Sequence, residues 1–263
     1  MDLLDSPRLA LITGAVEGGI GFRVAQRLAA EGARLALVDI NADAITETAR
    51  KLAAETGIDV RGFAADIADP SSIEALAKAV NDTMGPVEIL INCAAIVSDK
   101  LFLESDFSDW ARMTQICLYG PMNLIKAFAP AMVERQFGRI ICLASDSARL
   151  GQARLSYYAA AKAGVIALCK SVAQEFGPAS VTVNVVSPGA TNTALRQARE
   201  ASLLAQMGPE NYEKRQKKVV KMYPLRRIGD PDDIASMVAY IASDRASWVT
   251  GQVVSVNGGF AMP

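Results

Sequence analysis

Runs of mostly apolar residues alternate along the chain with segments whose apolar residues recur every three or four positions. The runs Leu9–Thr13, Arg34–Asp39, Val60–Ala64, Ile89–Asn92, 139–144, 181–186 and Val253–Val256 predict strands. They are rich in Val, Ile and Leu without polar alternation, as strands buried on both faces are. Helical periodicity predicts helices over 21–31, Ala42–Thr56 and Pro70–Met84. The β–α–β–α order implies an α/β fold: a doubly wound parallel sheet with helices on both sides. No linker, repeat or low-complexity tract divides the chain, so residues 1–263 read as one domain. One segment breaks the rhythm. Residues 193–224 carry no strand pattern, read as helical and are interrupted at Gly208-Pro209. Excursions of that length in a compact domain are often binding loops or lids, and 194–223 is the expected lid.

Composition narrows the function classes. The chain has 263 residues, 51% of them hydrophobic, which is enough for a sizeable core. Its net charge of −1 argues against general nucleic-acid binding. No apolar stretch reaches the length of a membrane span, and the acidic start Met-Asp-Leu-Leu-Asp is unlike a signal peptide, so the expected location is the cytoplasm. Cys93, Cys117, Cys142 and Cys169 form no CxxC pair and fit no zinc spacing, so buried free thiols are expected. The chain has no histidine, which excludes His-dependent triads and argues against a bound metal. A general base must come from Tyr, Lys, Asp, Glu or Cys.

The turn Thr13-Gly14-Ala15-Val16-Glu17-Gly18-Gly19-Ile20-Gly21 follows the first strand and opens the first helix. That context suits a dinucleotide pyrophosphate: glycines allow close backbone approach, and the helix N-terminus offers free N–H groups. Asp39 ends the second strand, eighteen residues after Gly21. A carboxylate there accepts hydrogen bonds from the ribose hydroxyls of NAD and repels the 2′-phosphate of NADP. Glu17 adds negative charge to the turn, so NAD is expected over NADP in a Rossmann-like domain. The plainer reading is a set of ordinary turn glycines with an exposed strand-end Asp.

Tyr158 and Lys162 stand four apart in a helix-compatible run, on one helix face. A phenol with pKa near 10 is a poor base at neutral pH. Lowering that pKa by about three units requires roughly 4 kcal/mol, which one positive charge about 4 Å away supplies at an effective dielectric of about 20. The pair alone is weak evidence. Ser145, thirteen residues before Tyr158, strengthens it.

With these features in this order, residues 7–259 resemble the short-chain dehydrogenase/reductase family in its compact single-domain form. The resemblance implies Ser145, Tyr158 and Lys162 as the catalytic residues. It implies a cofactor site from Gly14, Gly18, Gly19, Ile20, Gly21, Asp39, Ile40, Asp66, Ile67, Asn92, Ala94, Tyr158, Lys162, Pro188, Gly189, Thr191 and Thr193. Asp66-Ile67 resembles the adenine-contacting pair, Asn92-Cys93-Ala94-Ala95 the Asn-Asn-Ala-Gly that ends the fourth strand, and Pro188–Thr193 the segment holding the nicotinamide. A homotetramer, or a homodimer, is implied as well, with 253–263 a candidate for the interface. Tyr158 would exchange the proton of the substrate oxygen, Ser145 would position that oxygen, and Lys162 would depress the Tyr158 pKa.

Three departures stand out. The glycine turn has one extra residue. Cys93 and Ala95 replace Asn and Gly. Cys117 occupies the position of an Asn that helps hold a water behind the lysine, so a backbone carbonyl or another path is expected there. The expected activity is NAD-dependent interconversion of a small secondary alcohol and a ketone. Arg149 and Arg154 lie between Ser145 and Tyr158, and Arg196 and Arg199 open 193–224, which carries net +4 against −5 for the rest of the chain, so these four are candidate residues for a polar or anionic substrate. A solvated helix face is the alternative for those charges. Alternatives for the whole chain are a 3-oxoacyl-thioester reductase and, from another class, an NAD-binding sensor or scaffold without turnover.

Overall fold

The strand-like runs pair in the order β3-β2-β1-β4-β5-β6-β7, all parallel. The computed structural model describes residues 3–262, so the expected domain limits at Met1 and Pro263 lie outside the described residues. The strands are β1 Leu9–Thr13, β2 Arg34–Asp39, β3 Val60–Ala64, β4 Ile89–Asn92, β5 Gly138–Leu143, β6 Val181–Pro188 and β7 Val253–Val256. The helices are α1 Ile20–Ala30, α2 Ala42–Thr56, α3 Pro70–Met84, α4 Phe107–Thr114, α5 Gly120–Glu134, α6 Ser147–Leu150, α7 Ser156–Phe176, α8 Ala194–Lys221 and α9 Pro231–Ala242. The expected strands all form, with ends displaced in β5 and β6.

Alternate residues of each strand face opposite sides. Leu9 and Leu11 join a core with α3, α5 and α7, whereas Ala10 and Ile12 join a second core with α1, α2 and α9. A chain that covers both faces of one sheet must reverse its winding. Here the reversal lies between β1 and β4, so the connections that leave their carboxyl ends run to opposite faces of the sheet and leave a crevice between them. Thr13 Oγ donates to Asn92 Oδ1 at 2.7 Å at the floor of that crevice, and both residues are buried.

Local signals set the element ends. Asn41 caps α2 by accepting from the Ala44 N–H at 3.1 Å, and Asp69 caps α3, which begins with Pro70. α9 starts with a capping box between Asp230 and Asp233. α4 and α5 run on as one helix through a π-helical turn, Gln115–Tyr119. The whole helix, Phe107–Glu134, is long and apolar enough to cross a bilayer, which corrects the expectation from the sequence. Its apolar residues have another use, because Leu124, Phe128 and Met132 are buried in the core against β5. α8 is broken at Gly208, which has φ 75° and ψ 163°, so its two halves are separate helices.

Gly14 shows how tightly the crevice is built. It has φ 64°, and a Cβ there would sit 2.8 Å from the Ala94 backbone. Gly32 has φ 79° but open space around it. An L side chain in the left-handed region costs about 1–2 kcal/mol, and Gly14→Ala adds a backbone clash to that. Urea denaturation of the two variants should show Gly32→Ala losing about 1 kcal/mol and Gly14→Ala losing more. Equal losses would mean that the β1 and β4 ends yield freely.

Candidate active site

Ser145 follows β5, and Tyr158 and Lys162 lie on adjacent turns of α7. Lys162 is 1% exposed, and its ammonium donates to the Leu143 carbonyl at 2.7 Å. Its Nζ lies 6.0 Å from the centroid of the Tyr158 ring. Tyr158 is also buried, with its phenol in hydrogen-bonding reach of Ser145. Ser145 Oγ accepts from the Ser147 hydroxyl at 2.9 Å and from the Ser147 N–H at 3.3 Å. The three side chains thus meet at the carboxyl edge of the sheet.

The electrostatics differ from the sequence expectation. Burial raises the Tyr158 pKa above its ordinary value, and this outweighs the lowering by Lys162 and by the Ser145 hydrogen bond. The sequence estimate assumed a cation about 4 Å away and no desolvation. In the structure the ammonium is spent on Leu143 and the phenol is shut away from water. In the protein alone Tyr158 is therefore a neutral proton donor at pH 7.

Cys117 lies in the π-helical turn, 0% exposed, and its thiol donates to the Ile96 carbonyl at 3.5 Å. π-turns inside helices recur where a side chain must be re-aimed. With Met113, Leu155, Tyr157, Tyr158 and Ala161 it forms a small apolar cluster behind the phenol. Tyr157 donates to Ser98 Oγ at 2.6 Å and so ties α7 to the loop after β4. All four cysteines are free, and burial pushes the Cys93 thiol up to about 12.

Most of the expected cofactor residues lie at or just beyond the carboxyl ends of β1, β2, β3, β4 and β6. Gly14 and Gly18 have φ 64° and 89°, and the extra residue of the turn is taken up where the Gly19 N–H meets the Val16 carbonyl. No side chain caps α1, so its first N–H groups are left for an anion. Asp39 Oδ1 accepts from the Asn41 N–H at 3.1 Å, and Ile40 beside it is 70% exposed. Glu17 pairs with Lys51 at 3.2 Å. Asp66 Oδ1 accepts from the Ala68 N–H at 2.9 Å, and the Ile67 carbonyl accepts from Asn123. The Ala94 N–H donates to Thr13, and the buried Asn92 Nδ2 has no partner among the described residues. Across the crevice, Pro188 ends β6, the Gly189 N–H bonds the Val256 carbonyl, and Gly189 in turn accepts from the Thr191 hydroxyl at 3.1 Å. Thr193 caps α8, and the Ala194 N–H donates to the Gly18 carbonyl at 2.9 Å, so α8 starts on the glycine turn. Bare N–H groups, a cradle that a Cβ would fill and an orphaned amide fit a dinucleotide.

The four arginines separate. Arg154 Nε meets Asp99 Oδ1 at 2.5 Å, and Arg199 pairs with the other Asp99 oxygen. Burial raises the Asp99 pKa, but the two guanidinium groups outweigh it and hold the carboxyl below its usual range. Arg149 turns away to donate to Ser255 Oγ at 2.9 Å, and Arg196 pairs with Glu200 at 3.0 Å. Two hollows of about 460 and 580 Å³ flank the crevice, one beside Arg196, Glu200 and Tyr212 and one beside Asp66, Tyr119 and Asn123. Neither is lined by Ser145, Tyr158 or Lys162. Asp99, Ser98 and Ser147 are the neighbours that sequence reasoning missed. Asp99 has partners 55 and 100 positions away, so no local pattern marks it.

Residues 14–261 match a family profile described as enoyl-(acyl carrier protein) reductase. A short-chain type dehydrogenase/reductase of Sinorhizobium fredii is 38% identical over 96% of both chains. Acetoacetyl-CoA reductase of Allochromatium vinosum is 32% identical over 97% of this chain and 99% of its own. The 3-oxoacyl-(acyl-carrier-protein) reductase of Salmonella typhimurium is 35% identical over 97% and 98%. The crystal structure of L-sorbose reductase from Gluconobacter frateurii with NADPH and L-sorbose superposes with a TM-score of 0.94 over the whole of both chains at 28% identity. With the parallel sheet and its glycine turn, these likenesses assign the chain to the short-chain dehydrogenase/reductase family of oxidoreductases.

Proposed function

We propose that this chain interconverts a secondary alcohol and a ketone with NAD(H), using Tyr158 as general acid and base. The observation that carries the reading is the joining of Ser145, a buried neutral Tyr158 and a buried Lys162 beside a turn fit for a dinucleotide. A bound nicotinamide dinucleotide would supply or take the hydride. Gly14, Gly18 and the start of α1 would receive its pyrophosphate, Asp39 its adenosine ribose and Asp66-Ile67 its adenine. Asn92, Ala94, Lys162 and the segment 188–193 would hold its nicotinamide half.

In reduction, Tyr158 would give its proton to the carbonyl oxygen as negative charge develops there, while Ser145 donates a hydrogen bond to the same oxygen. In oxidation the proton would return to a Tyr158 phenolate, whose charge Lys162 opposes. A phenol that burial keeps neutral favours the reducing direction, in keeping with the reductase names of the relatives. The relatives also support a second reading within the same chemistry, reduction of a 3-oxoacyl thioester.

The preference for NAD rests on charge. Asp39 stands at the end of β2, and Lys51, a nearby base, is neutralised by Glu17. Arg154 and Arg199 share a single carboxylate, so the lid contact carries one surplus positive charge, which suits a polar or anionic substrate. A reducing compartment suits the four free cysteines, and the cytoplasm and a homo-oligomer are part of this proposal.

Three outcomes are expected. With ethyl acetoacetate, acetoacetate and neutral secondary alcohols as probes, oxidation or formation of the reduced cofactor should be measurable, and Tyr158→Phe should lower kcat by about 100-fold or more. Cofactor binding without turnover on any probe would favour the sensor reading. Asp39→Ser should raise the NADP-to-NAD ratio of kcat/KM by about tenfold or more, and an unmoved ratio would remove the charge argument. The third outcome concerns stability. A phenol whose folded pKa exceeds its unfolded value holds its proton more tightly when folded, so its contribution is complete below about pH 10 and is lost as pH rises through the folded value. Urea midpoints above pH 10 should therefore fall more steeply for the parent than for Tyr158→Phe. Equal slopes would contradict the burial effect.

A further inference from the structure

Ser145, Asp146 and Ser147 leave β5 with their side chains on opposite sides. The Asp146 carboxylate is 1% exposed and accepts from Ser187 Oγ at 2.7 Å, from Ser255 Oγ at 3.1 Å and from Asn257 Nδ2. Its own N–H donates to the Pro188 carbonyl at 3.3 Å. These bonds pin the tripeptide to β6, β7 and the turn after β7. The Ser147 hydroxyl meets Ser145, and Ser145 is within reach of Tyr158.

Ser147 is 4% exposed, and the only side-chain partner of its hydroxyl among the described residues is Ser145. A serine hydroxyl has one proton and two acceptor lone pairs. The Ser147 N–H can only donate, so it occupies one lone pair of Ser145. The second lone pair and the proton of Ser145 remain, and Ser147 Oγ and Tyr158 are the two groups that can use them. Two arrangements satisfy the Ser145 hydroxyl. In one, Ser147 donates to Ser145 and Ser145 donates onward to Tyr158 or to a substrate oxygen. In the other, protonated Tyr158 donates to Ser145 and Ser145 donates back to Ser147. Rotation of hydroxyl protons interconverts them without moving a heavy atom and without net proton transfer to either serine.

We propose that Ser147 is a positioning residue that sets the hydrogen-bond polarity of Ser145, so that Ser145 donates while negative charge resides on the reacting oxygen or on Tyr158 and turns back when Tyr158 is protonated. The inference rests on the reading of Tyr158 as the acid and base. It adds a third hydroxyl to the site and explains why the loop is anchored so firmly through Asp146, since a chain of hydroxyls needs fixed oxygen positions. If Ser147 merely began α6, its hydroxyl would matter to folding and not to the state of Tyr158.

A double-mutant cycle separates these roles, with ethyl acetoacetate reduction as the probe. Ser147→Ala should lower kcat about tenfold and change KM by less than about twofold. The alkaline limb of its kcat/KM profile should move up by about half a pH unit, because Ser145 loses the hydroxyl that strengthens its own donation to the phenolate, and a weaker bond to the phenolate raises the Tyr158 pKa. Neither change should appear in the Ser145→Ala background, and Ser147→Thr should restore the parent values. An unmoved kcat and pH limb in Ser147→Ala, or losses of equal size in both backgrounds, would overturn the proposal. Ser147→Cys, which keeps the N–H and a weak donor, carries the same test if the alanine variant does not fold; it should fall between the parent and Ser145→Ala. The phenolate absorbance of Tyr158, taken as the parent minus Tyr158→Phe across pH, should follow the same order without any substrate. That order intact in a protein with no turnover would remove the oxidoreductase reading and leave the hydroxyl chain standing.

Discussion

The site depends on one buried ammonium. Lys162 has almost no exposure to water, and its one protein acceptor among the described residues is the Leu143 carbonyl. A buried cation costs several kcal/mol unless it is well bonded, so that contact cannot slip without penalty. It locks α7 to the end of β5 in one register. Tyr158 lies one turn before Lys162, and Ser145 lies two residues beyond Leu143. The bond that satisfies the lysine therefore also brings phenol and hydroxyl together. The field of Lys162 reaches further, because it opposes the rise in the Cys93 and Cys169 thiol pKa values as well as that of Tyr158.

A second constraint comes from the sheet. The connections that leave β1 and β4 part to open the crevice, and the backbone at its floor packs so closely that Gly14 has no room for a Cβ. The same packing brings the start of α8 onto the glycine turn, through the Ala194 N–H and the Gly18 carbonyl. The expected nucleotide-binding end and the expected lid are thus one mechanical unit, even though more than 170 positions separate Gly18 from Ala194.

Much of this was legible in the sequence for simple reasons. Buried parallel strands leave uninterrupted Val, Ile and Leu, and a strand–glycine–helix junction is local, so β1, the turn and α1 could all be read directly. Phe107–Glu134 was not, because the π-turn Gln115–Tyr119 shifts the helical period between its two parts and leaves no mark in composition. The charge state of Tyr158 was misjudged because spacing reports neighbours on a helix and says nothing of burial. Three of the arginines were sorted only by distant partners, Asp99 for Arg154 and Arg199 and Ser255 for Arg149, whereas Arg196 pairs with Glu200 one helical turn on.

The break at Gly208 divides the lid into parts with different duties. The inner half is committed, because Thr193 caps it, Gly18 receives its first N–H and Asp99 holds Arg199. The outer half is tied to the inner through Glu200, which meets Arg215 and Gln216. Substitutions beyond Gly208 therefore act on a half that meets the inner one through Glu200, and they leave the contacts of Thr193, Gly18 and Asp99 in place. Such a chain is divided for divergence: the inner half is fixed to the glycine turn and to Asp99, and the outer half is free to drift.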